Sequence, residues 1–153
     1  MKKTELKRIE ENTKGEFPEF TKIIITAKNV ENAKEVLKKT KEVMKIISSY
    51  AYKNEWPSDQ MWKTILPAWF VESMTLKTSK DRDNDENQYH FESWIANIKD
   101  RAWLWYSSDI KKNDLQFVLE TLSTPYLFST FIYILYCQGI MLDNIIITDD
   151  LDK

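Results

Sequence analysis

Apolar residues along this chain recur with two different periods, and the switches between them mark its elements. Ile23, Ile24, Ile25 and Thr26 form a β-branched run between Lys22 and Lys28, too short for a helix, and read as a strand. From Val30 the spacing changes. Ala33, Val36, Leu37, Val43, Met44, Ile47, Tyr50 and Ala51 recur mostly at three- and four-residue steps, with Lys34, Lys38, Lys41 and Lys45 largely opposite. The pattern predicts a helix reaching about Tyr52, with Asn29 as its N-cap and Glu31 in its first turn. Asn54 to Pro57 ends it, and Ser58 opens a second, short helix carrying Met61, Trp62, Ile65 and Leu66, which Pro67 interrupts.

Thr75 to Gln88 holds no apolar residue except Leu76 and reads as a surface loop, after which Phe91, Trp94, Ile95 and Ile98 put a helix over Tyr89 to Ile98. Trp103, Leu104, Trp105 and Tyr106 then have strand character up to Ser107 and Ser108. Lys111 to Asp114 supply a turn, and Leu115, Phe117 and Leu119 alternate with more polar neighbours at the period of a half-buried strand, so the two runs form a hairpin. Ser123 or Thr124 caps a helix with Pro125 at its first position, Gly139 stops it, and Ile145 to Thr148 make the last strand. A short charged segment precedes the turn-rich junction at Gly15 to Pro18.

The order is strand, helix, helical insertion, strand, strand, helix, strand. The expected fold class is therefore α+β, a ferredoxin-like β-α-β-β-α-β core in one domain over residues 1–153, with a helical insertion at about 56–98 after the first long helix. Two helices cover one sheet face. The insertion is expected to pack over the other face or extend an edge, with Trp103 and Trp105 pointing to that side.

Composition sharpens the picture at one place. All six tryptophans (Trp56, Trp62, Trp69, Trp94, Trp103 and Trp105) lie between residues 56 and 105, a window without glycine. Such density means either a dense aromatic core or a contact surface. Core is the expectation for Trp94, Trp103 and Trp105, whereas Trp56, Trp62 and Trp69 are open between the two readings. Charge is uneven: residues 1–63 hold 14 Lys and Arg against 10 Asp and Glu, residues 64–153 hold 8 against 14. The lysines of the first half alternate with glutamates, unlike a basic nucleic-acid face. The acids of the second half gather in Asp81, Asp83, Asp85 and Glu86, and again near the C-terminus. Acidic runs are most often solvated loop, and their functional alternative is docking onto a basic partner. The start, with its mixed charges, is not a signal-peptide pattern, the apolar run Tyr126–Met141 is too short to span a bilayer, and one cysteine, Cys137, precludes an internal disulfide; cytoplasmic is the default.

Candidate chemistry is sparse. His90 is the only histidine, Asp81, Asp83 and Asp85 lack the glycine and closing glutamate of a calcium loop, and two glycines cannot build a phosphate-binding loop. Asp100 and Arg101 read as a surface ion pair or a helix-end pair. Neither catalytic residues, metal nor cofactor is expected.

Asp100, Arg101, Ala102, Trp103, Leu104, Trp105 and Tyr106, preceded by Trp94 and followed by a strand, a Pro125-led helix and Gly139, resemble small bacterial α+β immunity proteins of polymorphic and contact-dependent toxin systems over about the last 60 residues. The resemblance implies a cytosolic protein without activity of its own that binds and blocks one cognate toxin. The residues expected at the partner interface are Trp56, Trp62, Asp81, Asp83, Asp85 and Glu86. The alternative is a structural or regulatory homo-oligomeric domain, and an enzyme ranks third.

Overall fold

The computed structural model describes residues 2–11, 22–53, 55–81, 91–121 and 127–149. In chain order the elements are α1 (Lys2–Glu11), β1 (Lys22–Ala27), α2 (Ala33–Lys53), α3 (Asp59–Ile65), α4 (Ala68–Asp81), α5 (Phe91–Lys99), β2 (Trp103–Lys111), β3 (Asp114–Thr121), α6 (Ser129–Tyr136) and, after a short 3₁₀ turn at Leu142–Asn144, β4 (Ile145–Asp149). The four strands form one sheet in the order β2-β3-β1-β4, every neighbouring pair antiparallel. The fold is α+β.

Alternation decides which strand residues enter the core. Leu115, Phe117 and Leu119 of β3 are fully buried and share a face with Ile25 and Ala27 of β1, their register partners being Ala27, Ile25 and Ile23. Trp105 pairs with Leu119 and so joins that face, its ring 5.4 Å from that of Phe117. The ring of Phe131 from α6 lies 4.8 Å from Phe117 and 5.5 Å from Trp103, so α6 covers the same face. The buried side of α2, with Val36, Val43, Met44 and Ile47, completes this core.

The insertion was expected over the other sheet face or along an edge; instead α3 packs against α2 and α5 against α6, on the helical side of the sheet. Trp62 of α3 meets Tyr50 of α2 at 5.9 Å and Trp94 of α5 at 6.2 Å, and Phe70 of α4 stands 5.0 Å from Trp94. Trp94 Nε1 then donates to the carbonyl of Thr130 on α6 at 3.0 Å, and the Thr130 hydroxyl accepts from Trp103 Nε1 at 3.2 Å. A buried indole needs a partner for its one donor, so both N–H groups draw these rings towards the same residue of α6. Each edge-to-face pair adds about 0.5–1.5 kcal/mol beyond the area it buries.

Element boundaries differ from the pattern in three places. Asn29 is no N-cap: it turns the chain with φ of 56°, and the first helical bond runs from Val36 N–H to the Asn32 carbonyl. Asparagine tolerates this left-handed conformation better than most residues. Thr75–Asp81, read as loop, continues α4. β2 runs on through Ser107 and Ser108, both buried, by way of an irregularity between Trp105 and Ser107 that resets the alternation. Ser58 does cap α3, accepting from Met61 N–H, α4 begins directly after Pro67, and Gly139 ends the α6 region with φ of 89°. The proposed caps Ser123 and Thr124, with Pro125, lie outside the described residues.

The first helix is held by charge. α1 lies along β2 and α2, and Glu5 is fully buried beneath it. Its Oε1 accepts the Trp105 backbone N–H at 2.7 Å, its Oε2 accepts the Ser48 hydroxyl at 3.0 Å, and Arg101 straddles both oxygens at 3.3 and 3.1 Å. One turn later Arg8 Nη1 donates to the Trp105 carbonyl at 2.9 Å and pairs with Glu120 of β3. Two glutamates and two arginines leave no net charge in the interior. Arg101 is therefore not a surface partner of Asp100, as its position in the sequence implied, but the counter-ion of a residue 96 positions away.

Breaking a buried pair leaves an uncompensated charge, whereas replacing both members does not. Glu5→Gln should lower the unfolding free energy by about 3–5 kcal/mol, and the double variant Glu5→Gln with Arg101→Met should recover a large part of that loss in denaturant titrations. Additive losses would show that the two side chains act separately. For the aromatic stack, Trp94→Ala should cost about 3–5 kcal/mol in the same assay.

Candidate functional site

Trp62 is core. Placed one turn from Leu66 on a seven-residue helix, it shares that helix's buried side, and its ring is fully enclosed. It is thereby corrected from an interface candidate to a packing residue. Trp56 is half-buried, tilted against Trp62 at 6.1 Å, and keeps part of its surface free. Trp69 is likewise half-buried, with the Lys39 ammonium 5.3 Å from its ring centroid. Asp81 ends α4, while Asp83, Asp85, Glu86 and His90 lie outside the described residues. Cys137 is buried at the end of α6, where its carbonyl accepts from Ser73.

The buried acid–base cluster at α1 is a clamp by its geometry. Both oxygens of Glu5 are saturated by three donor groups, so no proton-transfer position is open on it. Arg8 stacks on the Tyr106 ring at 5.3 Å with Nε and Nη2 otherwise unpartnered among the described residues. Among the described residues no group of three His, Cys, Asp or Glu is arranged to hold a metal, and no helix is long and apolar enough to cross a membrane.

An open surface appears at the far side of the sheet, where the sequence showed only a strand. Lys28–Asn32, the turn from β1 into α2, faces Gln138–Met141, the exit from α6, across a cleft of about 320 Å³ that Asn144 closes below. Lys28 N–H donates to the Asn144 carbonyl at 2.8 Å, fixing the cleft to the start of β4. From its rim a run of large apolar side chains continues outward: Met141 is 63% exposed, Leu142 52%, Ile146 45% and Ile147 46%. Isolated exposed apolar residues are ordinary; here four lie between residues 141 and 147, Ile146 and Ile147 on opposite faces of β4. Asp143 stands exposed among them. Elsewhere, Lys34, Lys38, Lys41 and Lys45 line a shallow groove on α2; partial burial, then repulsion from Lys45, holds the Lys41 ammonium below its usual pKa.

The floor of the open surface is tied down by one carboxylate. Asp114, first residue of β3, accepts from Lys28 Nζ at 2.9 Å and from the Asn29 backbone N–H at 3.1 Å, which fixes the left-handed turn. The Lys28 hydrogen bond first, and the Asn29 N–H after it, hold the Asp114 carboxyl below the usual carboxylate pKa. A group with a depressed folded pKa stabilises the fold above its unfolded pKa and loses that contribution as the pH falls through the folded value. Acid titration of stability should therefore show a loss below about pH 4, where free aspartate titrates, that is smaller in Asp114→Asn. Matching acid limbs in the two proteins would remove Asp114 from this role.

Set against protein-family models, curated protein sequences and solved structures, the chain matches none of them.

Proposed function

We propose that this chain is a non-enzymatic binding protein of the immunity type, which neutralises a cognate bacterial toxin in the cytoplasm by direct contact. The observation that carries this reading is the run of exposed Met141, Leu142, Ile146 and Ile147 beside a cleft, at a sheet edge with no strand beyond it among the described residues. Partner surfaces combine an apolar centre with a polar or charged rim. Asp143 provides one such charge, and the acids Asp81, Asp83, Asp85 and Glu86 extend the acidic character that would steer a basic toxin. Trp56 supplies a partly free aromatic anchor of the kind that dominates interface energetics. The proposal includes a ferredoxin-like core, supported by the strand order β2-β3-β1-β4 and by α2 and α6 lying on one sheet face.

The test is binding to the product of the adjacent gene and relief of its toxicity. Neutralising Asp81, Asp83, Asp85 and Glu86 together should slow association and flatten its salt dependence, while Trp56→Ala should mainly speed dissociation, by an affinity loss of about 2 kcal/mol at a hot spot. Failure of the adjacent gene product to bind, or full protection of cells by a variant altered at Trp56, Ile146 and Ile147 together, would overturn the reading.

A further inference from the structure

The two edges of the sheet are treated differently. At the β2 edge, the Trp105 N–H and carbonyl are occupied by Glu5 and Arg8 of α1, so that a side-chain pair stands where another strand would pair. At the β4 edge no strand follows among the described residues. Ile146 and Ile147 point to opposite faces, and both are nearly half exposed. Two protections that natural edges use are missing here: β4 contains no lysine and no proline, and its register with β1 runs without a bulge from Ala27 opposite Ile145 to Ile23 opposite Asp149.

We propose that β4 is a docking edge that takes one extended, lysine- or arginine-bearing segment of a protein partner as a fifth strand. This rests on the reading of the chain as a binding protein. Backbone groups on the outer side of β4 would supply the affinity of strand addition, and Ile146 and Ile147 would pack against alternate side chains of the incoming segment, one on each face. Charge selects the occupant. Asp143, exposed, precedes the strand and Asp149 is its last residue, so β4 carries an acidic residue at each end. A cationic segment is matched to that arrangement, whereas the β4 segment of a second copy brings the further acids Asp143 and Asp149 and no lysine or arginine anywhere between residues 113 and 152.

The probe is a seven-residue peptide of alternating valine and threonine with lysine at each end, compared with its twin ending in glutamate. Amide hydrogen exchange and chemical-shift titration on the whole protein give site and affinity. The lysine peptide should slow exchange within Ile145–Asp149, bind at least tenfold more tightly than the glutamate twin at low salt, and lose affinity as salt rises. Ile146→Lys should weaken it at least tenfold with an unchanged melting temperature. Should that variant melt early, Ile146→Thr, which keeps strand propensity, should weaken it at least threefold. Protection elsewhere on the chain, equal binding of the two peptides, no binding at all, or concentration-dependent dimerisation that itself slows β4 exchange would each overturn the proposal. A toxin that binds tightly but ignores Ile146→Lys would overturn strand docking and leave the immunity reading standing. A lysine peptide docked on β4 with no toxin partner would do the reverse.

Discussion

Burying a carboxylate without compensation costs several kcal/mol, and the way this chain meets that cost at Glu5 organises much of the molecule. Four donors from three separate parts of the fold converge on its two oxygens: the Trp105 backbone, the Ser48 hydroxyl and the two ends of the Arg101 guanidinium. Because the three donor groups belong to β2, to α2 and to the residues before β2, satisfying one charge fixes α1 against all three at once. Arg8, one turn on, repeats the logic with Glu120 and closes the same edge from its carbonyl side. A purely apolar contact could stabilise α1 as well; the ion pairs differ in tying it to particular atoms of β2, β3 and α2.

The second organising contact is aromatic. Trp94 and Trp103 address the two oxygens of Thr130 from opposite sides, one from the insertion and one from the sheet. Thr130 thus joins three layers through one residue, and the tryptophan cluster that stands out in the sequence turns out to be the joint between insertion and core. Only Trp56 and Trp69 are left at the periphery, where their rings are partly free.

Periodicity made the four strands legible, because β-branched runs and alternating Leu115, Phe117 and Leu119 are local signals. It also located α2, α3 and Gly139. It failed where long-range partners override local character. Glu5 and Arg8 stand in what the sequence shows only as a short charged segment, and nothing nearby indicates counter-ions about a hundred residues away. Thr75–Asp81 holds one apolar residue, Leu76, yet helix α4 propagates through it because extending a formed helix is far easier than nucleating one. The open edge at β4 was invisible for a related reason: Ile145, Ile146 and Ile147 read only as a strand, and it is the strand order that shows β4 to have a single neighbour, β1, among the described residues.

The clamp also constrains the order in which the chain can mature on the ribosome. Glu5 and the Trp105 amide are 100 residues apart in sequence. At about 5–20 residues per second, roughly 5–20 s pass between synthesis of the helix and synthesis of the strand it must cap. During that interval α1 has nothing to seal, and Glu5 and Arg8 lack the partners that neutralise them in the fold. Closure waits for Arg101 and the hairpin of β2 and β3, so α1 precedes its own anchors by most of the chain's synthesis.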